Sequence, residues 1–210
     1  MRLGRQDLQT ISARTIVHYE ASADEFWAAT RDHDVAENRA ALLEHVEGEA
    51  PFTILDLGCG PGRDLAAFAA LGHVAIGLEG AARFVTMARA HSGCEVWQQD
   101  FLALALPDAC FDGVFANASL FHVPRQELPR VLGELYATLK PGGVLFCSNP
   151  RGDDQEGWQR ERYGVYHRLE TWRACLTAAR FTELAHYYRP PGVAREHQPW
   201  LATVWRKSAA

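Results

Sequence analysis

The stretch Leu55-Asp56-Leu57-Gly58-Cys59-Gly60-Pro61-Gly62-Arg63-Asp64 decides the fold. An apolar run, Pro51 to Leu57, carries an acid near its end and then meets three glycines at alternate positions. A strand that stops at such a turn lets its backbone come into contact with a ligand, because no Cβ intervenes. The helix that follows aims its free N–H groups at the same place. The pattern predicts a nucleotide-like ligand at the tip of the first core strand.

Working outward, strand and helix patterns alternate from Phe52 onward. Phe52–Leu57, Val74–Glu79, Glu95–Gln99, Phe111–Asn117 and Val144–Ser148 read as strands. Helical segments at 64–71, 81–91 and 126–139 separate them, the last stopped by Lys140-Pro141-Gly142-Gly143. Such alternation predicts a doubly wound α/β fold with a mostly parallel sheet. Right-handed crossovers then bring the strand ends to one edge. After a helix at 169–179, Phe181–Arg189 and Leu201–Lys207 follow each other without a helix between them. They predict an antiparallel hairpin at the sheet edge. Before the sheet, residues 1–14 read as a frayed polar end, and two helices over 24–29 and 34–46 as a cap. Residues 150–168 read as a long polar and aromatic loop, a place where function concentrates. The expected organisation is a helical entry over 1–50 and a ligand-binding domain over 51–210, one structural unit overall.

Composition narrows the partners. A length of 210 residues, 48% of them apolar, suits a single α/β domain with a real core. A net charge of −5 argues against nucleic acid. No apolar run approaches the roughly 18 residues that span a bilayer, and the first residues lack the apolar core of a signal peptide. The five cysteines lack metal-ligand spacing and sit mostly in apolar runs, which points to a reduced, cytoplasmic protein without a metal site.

The glycine turn admits two ligands. A dinucleotide fingerprint needs Gly-x-Gly-x-x-Gly, but its third glycine would fall on Arg63, and the actual spacing is Gly-x-Gly-x-Gly. Glu79 ends the second strand 21 residues after Gly58, where a carboxylate accepts ribose hydroxyls. Gln99-Asp100-Phe101 ends the third strand, where an acid meets an exocyclic amine and a ring stacks on a purine.

With these residues the chain resembles the small, single-domain class I S-adenosylmethionine-dependent methyltransferases of the type 11/25 group. The likeness rests on Leu55–Gly62, Gly77–Gly80, Gln99–Phe101, Phe111–Asn117 and Leu139–Gly143, and it runs from about residue 15 to 207. It implies a seven-stranded sheet whose last two strands form an antiparallel hairpin. It also implies S-adenosyl-L-methionine as cofactor and S-adenosyl-L-homocysteine as product. By position, Gly58, Cys59 and Gly60 would line the methionine part, with Asp56 near its amino group. Glu79 would hold the ribose beside Gly80 and Ala81, and Asp100 and Phe101 would read the adenine. Asn117 and Ala118 would lie under the methionine, and Tyr19 would place an aromatic over the cofactor. One departure is Arg180, where a glycine commonly precedes the edge strand.

The implied activity is methyl transfer to an N, O or S atom of a small metabolite. The alternative is a non-catalytic S-adenosylmethionine-binding module or partner subunit. His122 is the candidate base, or a wall of the cofactor site. Trp27, Arg31, His33, Tyr163 and Tyr166 are the candidate substrate contacts, with helix capping and surface packing as the competing explanation. Trp158 belongs to the same aromatic group. Asn117-Ala118-Ser119-Leu120 lacks the Pro-Pro-Tyr of amino methylation, which disfavours adenine and glutamine acceptors. The expected assembly is a monomer or homodimer.

Overall fold

The computed structural model describes residues 2–208. Three helices come first: α1 (Arg5–Ala21), α2 (Ala23–Thr30) and α3 (Ala36–Leu43). The alternating part follows as β1 (Thr53–Leu57), α4 (Arg63–Ala70), β2 (Val74–Glu79), α5 (Ala82–Ser92), β3 (Glu95–Gln98), β4 (Phe111–Asn117), α6 (Leu128–Thr138) and β5 (Leu139–Pro150). A small hairpin, β6 (Gln155–Gln159) and β7 (Arg162–Tyr166), precedes α7 (Leu169–Ala178), β8 (Phe181–Arg189) and β9 (Trp200–Lys207).

The main sheet has seven strands in the order β3-β2-β1-β4-β5-β9-β8. Strands β1 to β5 pair in parallel, and β9 runs antiparallel to both β5 and β8. The order reverses between β1 and β4, which opens a crevice at the carboxyl ends of the strands, where such sheets bind ligands.

Side chains alternate between two cores. Ile54, Phe115, Phe146 and Val204 face Leu42 of α3, Leu65 and Phe68 of α4, and Val85 and Ala88 of α5. Leu55, Val114, Leu145 and Trp205 face Val131, Leu132 and Leu135 of α6 and Trp172 and Leu176 of α7. A period of two along each strand with both faces covered is what a central parallel sheet requires.

Three expectations are corrected. Residues 5–14 are helical, not frayed, because α1 is held by distant partners: Thr15 Oγ1 accepts from the Tyr163 N–H, and the Ser12 hydroxyl donates to Asp100. Residues 155–166 form a hairpin, not a loop; Arg160, at φ 56, takes the left-handed conformation of its two-residue turn. The pairing of β5 with β4 starts at Leu139, shifts across Lys140–Gly143, and resumes at Val144. Arg180 has φ 70, which explains why glycine suits that position; its guanidinium lies 4.8 Å from the Tyr136 ring centroid.

Position 63 is Arg63, and the close contact is made by Gly62 instead. It caps α4 at φ 91, and a Cβ there would stand 2.8 Å from Ala88 Cα of α5. Gly72 has a similar φ of 86 but open space around it. Gly62→Ala therefore combines conformational strain with a backbone clash and is expected to lose roughly 2–4 kcal/mol. Gly72→Ala should lose only about 1 kcal/mol. Denaturant unfolding of the two variants checks this; equal losses would refute the packing role of Gly62.

Candidate functional site

One cavity of about 630 Å³ opens at the carboxyl ends of β1, β2 and β4. Its floor is the glycine turn. The N–H groups of Gly58 and Cys59 both donate to Leu78 O, at 2.8 and 3.1 Å, which fastens the turn to β2. Gly58 (φ 75) has no room for a side chain: a Cβ would meet Ser119 Cβ at 2.6 Å and the Phe101 ring at 3.1 Å. Gly60 (φ 52) instead faces space bordered by Phe26.

Glu79 continues this fastening. Its Oε2 accepts from the Gly60 N–H and its Oε1 from the Ala81 N–H, each at 3.0 Å. Burial raises its carboxyl pKa, opposed by the N–H groups of Ala81, Gly60 and Gly80. Asp56 lies behind the turn, 3% exposed, and its Oδ2 has no hydrogen-bond partner. Burial, with the nearby Asp64 charge, pushes its carboxyl well above the ordinary range. At the end of β3, Asp100 Oδ1 accepts from the Leu102 N–H at 2.8 Å. Ala118, beyond β4, holds φ 61 and donates its N–H to Ser148 O.

The side of the cavity made by α1 is a chain of polar groups. His122 Nδ1 lies 2.7 Å from Tyr163 O, so it donates there, and Nε2 is left to accept from the Tyr19 hydroxyl at 2.8 Å. Arg162 donates to the same hydroxyl at 3.4 Å. Burial lowers the His122 pKa to about 4 and raises that of Tyr19. A neutral imidazole with both nitrogens engaged is a strut that positions Tyr19.

The structure brings most of the expected residues together. Tyr19, Asp56, Gly58, Cys59, Gly60, Glu79, Gly80, Asp100, Phe101, Asn117, Ala118, His122, Trp27 and His33 all line the cavity. Ala81 sits beneath it through its bond to Glu79. Three candidates do not line it. Arg31 points outward, its side chain 57% exposed beside Asp32. Tyr163 packs on Ile11 and Val165, with its hydroxyl on Glu156. Tyr166 folds back over Gly164, where a Cβ would meet its hydroxyl at 2.7 Å. Trp158 likewise lies outside, under the Arg14 guanidinium at 4.2 Å.

Sequence reading missed a polar wall. Arg39 and Arg63 both pair with Asp64, which also accepts from Asn117 Nδ2 at 3.4 Å. Asn38 donates to Asn117 Oδ1 and accepts from Tyr187 and Arg189. Arg63-Asp64, directly after the glycines, was the available signal. Arg162 and Arg189 carried none, because only the hairpin and the edge strand bring them to the cavity.

Comparison with known proteins gives a consistent likeness. Residues 54–143 match a family model described as a methyltransferase domain. The chain is 34% identical to trans-aconitate 2-methyltransferase of Azoarcus sp. (strain BH72), over 77% of this chain and 59% of that protein. It is 39% identical to 24-methylenesterol C-methyltransferase 2 of Oryza sativa subsp. japonica, over 55% of this chain and 32% of that protein. The chain thus spans less than two thirds of these relatives' lengths. The fold matches, with TM-score 0.80 and 20% identity over 100% of this chain and 94% of the other, the 1,6-didemethyltoxoflavin-N1-methyltransferase of Burkholderia thailandensis. That structure holds 1,6-didemethyltoxoflavin and S-adenosylhomocysteine.

The buried His122 makes stability depend on pH. Unfolded, its imidazole takes a proton at the ordinary 6.5; folded, only near 4. The unfolded state therefore binds more protons between these values, and this contribution to stability is lost as pH falls through that window. Between pH 7 and pH 5 the loss is about 2 kcal/mol. Chemical denaturation of wild type and His122→Asn at both pH values should show a slope smaller by that amount in the variant. Parallel slopes would contradict the assignment.

Proposed function

We propose that the chain is a class I S-adenosylmethionine-dependent methyltransferase and that it transfers a methyl group from S-adenosylmethionine to an N, O or S atom of a small metabolite. The observation that carries this reading is Asp56. A buried carboxyl oxygen with no partner, beside a glycine turn that lines a cavity, fits an ammonium group. The other contacts suit the rest of the cofactor. Gly58, Cys59 and Gly60 offer a backbone wall for the methionine part, and Asn117 and Ala118 would lie beneath it. Glu79 keeps lone pairs for ribose hydroxyls beyond its two N–H bonds, with Gly80 and Ala81 alongside. Asp100 and Phe101 would meet the adenine, and Tyr19 would cover the cofactor.

The bound cofactor supplies a methyl on a sulfonium, already activated toward a nucleophile. The protein's part is position and exclusion of water. Tyr19, Phe26, Phe84 and Phe121 give that side of the cavity an aromatic wall. The His122 strut fixes Tyr19 within it. His122 is a wall residue in this reading, not the base.

A binding-only module is the second reading. Against it, the cavity extends past the strand tips to Trp27, Thr30, His33 and Trp200, which leaves room for an acceptor. A small acceptor also accords with the named substrate of the Azoarcus relative. We expect a cytoplasmic monomer or homodimer. Among the described residues no helix is long and apolar enough to cross a membrane, and no three His, Cys, Asp or Glu side chains cluster as a metal site.

Calorimetry with S-adenosylhomocysteine tests the reading. Glu79→Gln should weaken binding about tenfold, the scale of losing hydrogen bonds to a charged group. Circular dichroism verifies that the turn survives. Unchanged affinity would remove Glu79 from the site, and binding of NAD without S-adenosylhomocysteine would sink the reading.

A further inference from the structure

Three arginines line the cavity: Arg63, Arg162 and Arg189. Two are neutralised or tied down. Arg63 pairs with Asp64 at 2.7 Å and donates to Thr30 O. Arg189 donates to Asn38 Oδ1 and Asp34 O, with Glu37 at 3.6 Å. Arg162 differs. Among the described residues no carboxylate lies within 4.0 Å of it, and its hydrogen bond is to the Tyr19 hydroxyl, a neutral acceptor. Its guanidinium stands 5.9 Å from the Tyr19 ring centroid. The hairpin delivers it there: the Arg160-Glu161 turn closes β6 on β7, and alternation along β7 turns Tyr163 and Val165 toward α1. Arg162 takes the opposite face and meets the cavity. A half-buried guanidinium with its planar donor fork still free is suited to a carboxylate.

Next to Arg162 the groups that could act as a base are already engaged. His122 uses both ring nitrogens, and the proton on Tyr19 is directed at His122. Glu79 and Asp100 each accept two hydrogen bonds, and Asp64 holds two arginines. Asp34 accepts from the Ala36 N–H. His33 sits at the exposed rim. An alcohol or thiol beside Tyr19 and His122 would find both already engaged, whereas a carboxylate, ionised at neutral pH, needs no base.

We propose that Arg162, positioned by its hydrogen bond to the Tyr19 hydroxyl, forms a subsite for the carboxylate of the methyl acceptor, so that the substrate is an organic acid. This rests on the methyltransferase reading above. The reaction would balance without a base. A carboxylate oxygen forms the new O–C bond as the methyl's C–S bond breaks, and the electron pair of that bond passes to sulfur. The anion and the sulfonium both become neutral, and no proton is released.

The test uses the whole chain saturated with S-adenosylhomocysteine. Malonate, trans-aconitate and benzoate are titrated by calorimetry, with malonamide and benzamide as neutral counterparts. At least one acid should bind, and the amides at least tenfold more weakly. Arg162→Gln should lower the acid's affinity tenfold to a hundredfold, Arg162→Lys less, and S-adenosylhomocysteine affinity should stay the same. With a labelled methyl donor, the product should be a base-labile ester. The proposal is overturned if amides bind as well as acids, if Arg162→Gln leaves acid binding unchanged, or if none of the three acids binds. It is also overturned if Arg162→Gln weakens S-adenosylhomocysteine instead, which would assign Arg162 to the cofactor's own carboxylate. Failure of the wild type to bind S-adenosylhomocysteine would strike the methyltransferase reading itself.

Discussion

The turn after β1 is held to the end of β2 by hydrogen bonds from successive main-chain N–H groups. Gly58 and Cys59 donate to Leu78 O, and Gly60 donates to the Glu79 carboxylate. Nearly everything at the site depends on this seam. The seam needs left-handed backbone at Gly58, Gly60 and Gly62, which side chains resist. It places the turn against Ser119 and Phe101 without a gap, and it seats α4 on α5 through Gly62. Because Glu79 bonds to both Gly60 and Ala81, the carboxylate that faces the cavity also sets the geometry of two chain segments.

The acids around the cavity differ in what neutralises them. Asp64 has two guanidinium groups; Asp100 has a hydroxyl and an N–H; Glu79 has two N–H groups. Only Asp56 is buried with an oxygen unanswered. Burial of a charge without a partner costs several kcal/mol, which raises the carboxyl's pKa, and a cation placed against it would offset that cost. The floor of the cavity thus carries an unpartnered acid, while Arg162 on the hairpin is a cation without a carboxylate among the described residues. This polarity follows from which side chains lack partners, not from net charge.

The sheet was legible because its signals are local. Strand–helix alternation, the glycine spacing and the acids at 79 and 100 each depend on a few consecutive residues. The antiparallel β8–β9 pair was legible for the same reason: two apolar runs with no helix between them. Helix α1 was not legible, since Arg5–Ala21 has little amphipathic character and only Ile11 and Thr15 are buried within it. Its stability comes from tertiary bonds that no local pattern announces. The β6–β7 hairpin was hidden by an Arg-Glu turn where Asn-Gly or Gly-Asn would have signalled one. Missing that hairpin misplaced Tyr163 and Tyr166 and concealed Arg162 together. The aromatic residues looked like the functional part of the segment, whereas the charged one is the residue that lines the cavity.

The anchoring of α1 has a consequence for the order in which the protein is made. Its bonds to Asp100, His122 and Tyr163 reach 88, 103 and 148 residues further along the chain. During synthesis the helix leaves the ribosome long before any of these partners exists. Its contacts with α5, from Arg83 N–H to Glu20 and from Phe84 to Tyr19, become available first, and those with His122 and the hairpin only later. The wall of the cavity that carries Tyr19 is therefore translated before the other parts and completed only when His122 and Tyr163 have been made.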